Sequence, residues 1–196
     1  MNWQYKTPGI PDELFERLPG IPLSKKEVRL LILSALRLRE NSVIWDIGAG
    51  TGTIPIEIAL LCPKTRVIAI ERDNEVVNLI NKNCQLFEVE NVQVFEGNAP
   101  DCLVDIELQP DRICIEGGKS IKDILVKVWD YLPTEGRVVA TASNLESLYQ
   151  ISEGLSELQA RNIEVVQSSI NRLETRGITQ VFAAIAPIFI LSGEKI

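Results

Sequence analysis

The sequence predicts an α/β fold: a mostly parallel sheet with helices on both faces and a C-terminal antiparallel hairpin. Three observations lead there. Between residues 43 and 160, short apolar runs alternate with amphipathic stretches at helical spacing, the pattern of parallel strands joined by crossover helices. A glycine-rich segment, Gly48-Ala49-Gly50-Thr51-Gly52, directly follows the first of those runs, where an open parallel sheet gathers its ligands. The last forty residues change character, with extended runs over 163–170 and 180–191 joined by the polar stretch 171–179. They read as an antiparallel pair closing one edge.

Each element has its own signal. Residues 1–40 are irregular, with prolines at 8, 11, 19 and 22 and a short helical stretch near 12–18. Ser24-Lys25-Lys26-Glu27 has the form of a capping box, and Val28, Leu31, Ile32, Ala35 and Leu36 follow at helical spacing, so a helix should start at Ser24. Strands are then expected at 43–47, 67–70, 92–95, 112–115 and 138–141, and helices at 54–61, 75–87, 121–131 and 145–160. There is no internal repeat, low-complexity tract or linker.

Composition narrows the chemistry. A chain of 196 residues, 45% hydrophobic and 24% charged, is long enough for one packed domain. It has no histidine, which excludes serine triads, cysteine-histidine dyads and most zinc or non-haem iron sites. The four cysteines, Cys62, Cys84, Cys102 and Cys114, form no C-x-x-C pair, so no metal site is expected and reduced thiols are. The N-terminus lacks a signal-like run, and no window reaches the roughly 20 apolar residues of a membrane span. A cytoplasmic protein without a membrane partner is expected. A net charge of −7 disfavours nucleic-acid binding, which draws on clustered Lys and Arg.

The glycine loop is the strongest motif. Glycines let the backbone turn sharply and approach a ligand, and the helix that follows presents unpaired N–H groups. Taken alone, the loop is equally a tight strand-to-helix turn. Asp46 before it and Glu71, twenty-one residues past Gly50, point to a nucleoside-containing ligand whose ribose diol Glu71 would hold. A dinucleotide fingerprint needs G-x-G-x-x-G, but Thr53 occupies the third place and the pattern is G-x-G-x-G. The spacing of Glu71 suits either NAD or S-adenosylmethionine.

The segment from Asp46 to Gly52 resembles the first motif of class I S-adenosylmethionine-dependent methyltransferases, whose Rossmann-like sheet carries a terminal antiparallel hairpin. A closer resemblance covers nearly the whole chain. Pro8-Gly9-Ile10-Pro11-Asp12-Glu13-Leu14-Phe15, Gly20-Ile21-Pro22-Leu23-Ser24-Lys25-Lys26-Glu27-Val28-Arg29, Trp45 to Gly52, Ala69-Ile70-Glu71-Arg72, Glu96-Gly97-Asn98-Ala99-Pro100, Pro110-Asp111-Arg112, Gly117-Gly118 and Leu145-Glu146 resemble the decarboxylating precorrin C-15 methyltransferases of cobalamin biosynthesis. That resemblance implies a homo-oligomer, a tetramer, that methylates C-15 of an anionic tetrapyrrole and removes carbon dioxide from an acetate side chain. Length and pattern along the chain are expected to give a single domain, with 1–40 as an N-terminal helical appendage, 41–160 as the donor-binding core and 161–196 as the terminal strand hairpin.

The resemblance also assigns roles. Gly48, Ala49, Gly50, Thr51 and Gly52 would cradle S-adenosylmethionine, with Asp46 accepting from its ammonium or from loop amides and Ser24 reaching its amino-acid end. Gly97, Asn98 and Ala99 would lie by the adenine; the family often has Asp where Asn98 stands, and Asn keeps the acceptor oxygen but loses the charge. Gly117 and Gly118 would leave room for a flat macrocycle. Glu116, where the family more often has a small or apolar residue, is a catalytic candidate. Cations for a polyanionic substrate would come from Lys25, Arg29, Lys119 and Lys122, and above all from Arg172 and Arg176, since Arg binds carboxylates bidentately. Two other readings share the donor site: a methyltransferase acting on tRNA or protein, and a non-catalytic module that binds S-adenosylmethionine. The acidic balance and the lack of an Asn- or Asp-Pro-Pro-aromatic segment count against the first, and the intact loop with Glu71 against the second.

Overall fold

In the computed structural model, which describes residues 3–117 and 120–196, a seven-stranded sheet carries five α-helices. Its strands are β1 (Val43–Ile47), β2 (Arg66–Glu71), β3 (Val92–Glu96), β4 (Arg112–Glu116), β5 (Arg137–Ala142), β6 (Arg161–Gln167) and β9 (Phe189–Glu194), in the order β3-β2-β1-β4-β5-β9-β6. The first five are parallel, and β9 runs antiparallel to both β5 and β6. Strands β7 (Asn171–Arg176) and β8 (Thr179–Ala184) form a separate antiparallel ribbon.

The alternating mostly parallel sheet is as the sequence predicts, but the C-terminal region is more elaborate. The run over 180–191 splits into β8 and β9, and the polar stretch 171–179 supplies β7 and a turn at Gly177 (φ +63°). Only β9 enters the sheet centre: its burial pattern is closed at Ile190, Leu191, Ser192 and Gly193, whereas every residue of β6 is exposed. An edge strand lacks one neighbour, so its polar and apolar residues are equally wet.

Helices α1 (Lys26–Leu36), α2 (Thr53–Leu61) and α3 (Asn74–Leu86) cover one face, and α4 (Ile121–Tyr131) and α5 (Leu145–Glu157) the other. Side chains alternate along a strand, so Trp45 and Ile47 join the core under α4 and α5 while Ile44 packs beneath α1 and α2. Asp46, which shares the face of Ile44, and its register partner Cys114 therefore lie on the α1 side. Near residues 12–18 the helical stretch shrinks to a single 3₁₀ turn, Asp12–Leu14.

The start of α1 departs from the capping box. Lys25 holds the cap position without a side-chain bond, and the Lys26 amide instead donates to Asp12 Oδ1 (2.9 Å). The cap thus arrives from the preceding segment, freeing Ser24. That segment is docked by Arg29, fully buried. Its Nε donates to Glu57 (2.8 Å), Nη1 to Asp12 (2.7 Å) and to the Ser24 carbonyl (2.6 Å), and Nη2 to the Ile10 carbonyl. Glu57 in turn accepts from the Gly9 and Ile10 amides (2.7 and 3.1 Å). Residues 9–29 thereby become one wall of the domain.

Removing one member of a buried ion cluster leaves the others charged and unpaired. Arg29→Met is therefore expected to destabilise the fold by about 3–5 kcal/mol, measured as a drop in urea midpoint at unchanged m-value.

Candidate functional site

The carboxyl ends of β1, β2, β3 and β4 open onto a cavity of about 1300 Å³. Its floor is the loop after β1. Gly48 (φ +78°) and Gly50 (φ +53°) adopt the left-handed conformation, and a Cβ on Gly48 would stand 2.8 Å from the Glu116 carbonyl. The amides of Gly48 and Ala49 donate to the Ile70 carbonyl (3.0 and 3.2 Å), which locks the loop against β2. Thr51 gives its hydroxyl to the Pro22 carbonyl (2.9 Å), joining the loop to the N-terminal wall. Gly52 does not line the cavity; its Cβ position is filled by Ile80 of α3, 2.9 Å away, so it serves helix packing.

Glu71, the last residue of β2, is held by three backbone amides: Gly50 (3.2 Å), Arg72 (2.8 Å) and Asp73 (3.3 Å). Its position is fixed before any ligand arrives, and no cation neutralises it among the described residues. Gly97, Asn98 and Ala99 follow β3 on the cavity wall. The Cβ of Cys102 leaves no room for a side chain on Gly97, at 2.5 Å.

Asp46 is fully buried with both carboxylate oxygens lacking a hydrogen-bond partner. Burial first, then the charge of Glu116, lifts its carboxyl well above the usual carboxylate range, and the thiol of Cys114 beside it only partly offsets this. Glu116, at the end of β4 and on the cavity wall, accepts from the Ser24 hydroxyl. Burial pushes its carboxyl up to about 7, against the lowering effects of Ser24 and Arg29. An orphaned buried carboxyl, a second raised to about 7 and Glu71 together make an inner end rich in acceptors, where a ligand bearing positive charge would favour the ionised forms.

The rest of the expected site divides. Ser24, Lys25, Gly117 and Arg172 line the cavity; Gly118 and Lys119 lie outside the described residues. Arg172, on β7, is committed internally: Nε donates to Glu27 (3.0 Å), Nη1 to Asp12 (3.0 Å) and Nη2 to Glu27. It bridges the ribbon to the N-terminal wall, with Glu174, Ala183, Ala184 and Ile185 of the ribbon side facing the same space. Arg176 is not on the cavity wall and pairs with Glu174 (3.0 Å). Lys122 is occupied by Glu153 (2.7 Å) and Glu157 (3.0 Å). Arg29 lies buried in the ion cluster. The partners Asp12, Glu27 and Glu57 were not singled out by sequence reasoning, although Glu57 is the only charge in the apolar helix Thr-Ile-Pro-Ile-Glu-Ile-Ala-Leu-Leu, a signal that it is buried and paired.

Comparison with known proteins places this geometry. The model of the precorrin methyltransferase domain matches residues 15–195. A Saccharolobus solfataricus protein named "Probable cobalt-precorrin-6B C(15)-methyltransferase (decarboxylating)" is 37% identical over 198 residues, covering 100% of both chains. The Salmonella typhimurium cobalt-precorrin-6B C(15)-methyltransferase (decarboxylating) is 32% identical over 187 residues, spanning 95% of this chain and 96% of its own length. The crystal structure of precorrin-6y C5,15-methyltransferase from Geobacter metallireducens superposes with a TM-score of 0.89 at 32% identity, over 95% of this chain and 98% of that one.

The buried acids set a pH dependence. Asp46 and Glu116 bind protons more tightly folded than unfolded, so the stability they allow is complete below the ordinary carboxylate range and is lost as pH rises through about 7 for Glu116. Asp12, Glu27 and Glu194 are shifted down, and their contribution is lost only in acid. Ligand-free protein should therefore melt at a lower temperature at about pH 8.5 than at about pH 6. Asp46→Asn should show a shallower decline in the same calorimetric scans.

Proposed function

The chain belongs to the precorrin methyltransferase family, and from that premise we propose that it is an S-adenosylmethionine-dependent C-methyltransferase that methylates C-15 of an anionic corrin-ring precursor and decarboxylates an acetate side chain. The observation that carries this reading is the fit of the site to a cationic nucleoside: a glycine cradle and the amide-held Glu71 line one cavity, and the unpartnered Asp46 is buried just before the glycine loop. S-adenosylmethionine supplies, when bound, an electrophilic methyl group. Glu71 would accept from both ribose hydroxyls, Asn98 with Gly97 and Ala99 would border the adenine, and Asp46, Glu116 and Ser24 would face the amino-acid end. Gly48, Ala49, Gly50 and Thr51 would bring the backbone close enough to exclude water.

The chain's own contribution to methyl transfer is positioning, since an electron-rich macrocycle is its own nucleophile and alignment alone removes much of the barrier. Among the described residues on the wall, Lys25 and Arg72 are the cations not committed to a close ion pair; the nearest acid to Lys25 is Asp12 at 3.9 Å. They are the first candidates for substrate carboxylates. Arg172, saturated by Glu27 and Asp12, would hold the β7–β8 ribbon over the cavity instead. Arg176 would reach the substrate only from the ribbon's turn.

Two further parts of the reading are proposals on the same footing. Exposed apolar side chains on the wet edge strand β6 (Ile163, Val165 and Val166) and on the ribbon (Leu173, Ile178 and Phe182) support association of copies into a tetramer. The four unpaired thiols support a reducing, cytoplasmic setting, and no helix among the described residues is long and apolar enough to cross a membrane.

Mass spectrometry of the tetrapyrrole after incubation with methyl-labelled S-adenosylmethionine should show gain of one labelled methyl and loss of carbon dioxide; donor binding without either change would overturn the proposed substrate. Glu71→Ala should weaken donor binding by about 2 kcal/mol, roughly thirtyfold in Kd by titration calorimetry. Light scattering on a sizing column should give four times the 21.9 kDa chain mass, and a monomer would remove the tetramer.

A further inference from the structure

A reaction that methylates a ring carbon and expels carbon dioxide from a side chain has a proton balance of its own. The ring carbon forms a bond to the methyl as the methyl–sulfur bond breaks and its electrons go to sulfur. The ring carbon's C–H bond then breaks, its electron pair returns to the macrocycle, and a proton must leave. In the decarboxylating step the bond between the side-chain methylene and its carboxylate breaks, carbon dioxide departs, and the electron pair delocalised into the ring must take a proton at the methylene carbon to become a methyl group. One half releases the proton that the other consumes.

We infer that Glu116 carries that proton: as the carboxylate it accepts it from the methylated ring carbon, and as the acid it returns it to the methylene. This inference rests on the reading under Proposed function and deepens it. With no histidine in the chain, the carrier must be another group on the cavity wall, where the described carboxylates are Glu71, Asp73, Asp101, Glu116, Asp123 and Glu174. Glu71 is consumed by three amides, Asp73 caps α3 through the Glu75 amide (2.9 Å), and Glu174 is paired with Arg176 (3.0 Å). Asp101 and Asp123 are exposed and open to bulk water rather than to an enclosed proton acceptor.

Glu116 alone of these six is half-buried, fixed by a hydroxyl and, among the described residues, without an ion pair. The groups around it come from three elements: Asp46 on β1, Cys114 on its own strand β4, and Ser24 and Arg29 at the start of α1. Arg29 is spent on Asp12 and Glu57, so it tempers the carboxyl without neutralising it. A carboxyl held at about 7 is populated in both protonation states at neutral pH, as a group that must both take and give a proton requires.

The test uses the whole protein with labelled S-adenosylmethionine and the tetrapyrrole, reading methyl gain and carbon dioxide release separately. Glu116→Gln keeps an acceptor for the Ser24 hydroxyl but has no titratable proton. With donor and tetrapyrrole at concentrations shown by calorimetry to saturate the variant, carbon dioxide release should slow by about a hundredfold, and the inflection near 7 in the wild-type pH profile should vanish. Ser24→Ala removes a bond that lowers the carboxyl, so that inflection should move to higher pH. Infrared difference spectra of ligand-free wild type against Glu116→Gln should show a protonated carboxyl band at about pH 6 that is gone by about pH 9. Carbon dioxide release at the wild-type rate in Glu116→Gln, an inflection unmoved in Ser24→Ala, or absence of the band would each overturn the assignment. A wild type that methylates no tetrapyrrole would instead overturn the underlying reading and this inference with it.

Discussion

The buried guanidinium of Arg29 is the interaction on which the rest of the site depends. A charge taken out of water must be compensated at every donor, and Arg29 meets that demand by collecting Asp12, Glu57 and the carbonyls of Ile10 and Ser24. Those partners belong to the N-terminal segment, the loop before α1, and α2, so one side chain fixes three pieces of backbone. Asp12, once placed, caps α1 and anchors Arg172; the carbonyl of Pro22, on the same wall, receives Thr51 of the glycine loop. Wall, floor and ribbon are thus tied together by one ionic cluster, which works alongside the apolar packing of Ile10 and Phe15 against Ala49, Ile56 and Ile80.

Much of this was legible in the sequence where local chemistry decides local structure. The alternation of apolar runs and amphipathic stretches marked β1 through α5, and the glycines at 48 and 50 marked a loop that must adopt positive φ. Glu71 was readable because its distance from the loop is set by one helix and one strand. Ser24 shows where such reasoning stops. Its spacing to Glu27 is that of a cap, but Asp12, fourteen residues before Lys26, takes the Lys26 amide, and the hydroxyl turns to Glu116. Competition between a near and a far acceptor is a tertiary matter that no window of residues contains. Arg172 is similar: an Arg in a hairpin reads as a surface cation until Glu27, 145 positions away in sequence, is seen to hold it. The C-terminal pair was recognised as extended, but which strand enters the sheet depends on burial: Ile190 and Leu191 fit between β5 and β6, and Phe182 of β8 does not.

The two ends of the sheet are treated oppositely. At the amino ends of β4 and β5, Arg112 and Arg137 are almost wholly buried and satisfied by carbonyls, Glu164, Glu194 and Ser192, so positive charge there is spent on closing the structure. At the carboxyl ends, Asp46 and Glu116 are left short of partners. Stability is concentrated where nothing binds, and electrostatic discomfort is kept where a charged ligand can relieve it.

Strand β9 follows β6, β7 and β8 in the chain yet lies between β5 and β6 in the sheet. On a growing chain, β6 emerges from the ribosome with no neighbour to pair with, because the strand that belongs beside it has not been made. The half of the sheet beyond β5 therefore cannot assemble strand by strand; β6 must wait, unpaired, until β9 has been made. The β7–β8 ribbon between those strands is a local antiparallel pairing that needs neither of them, so during that interval it can form first, while the edges of β6 stay open to other nascent chains.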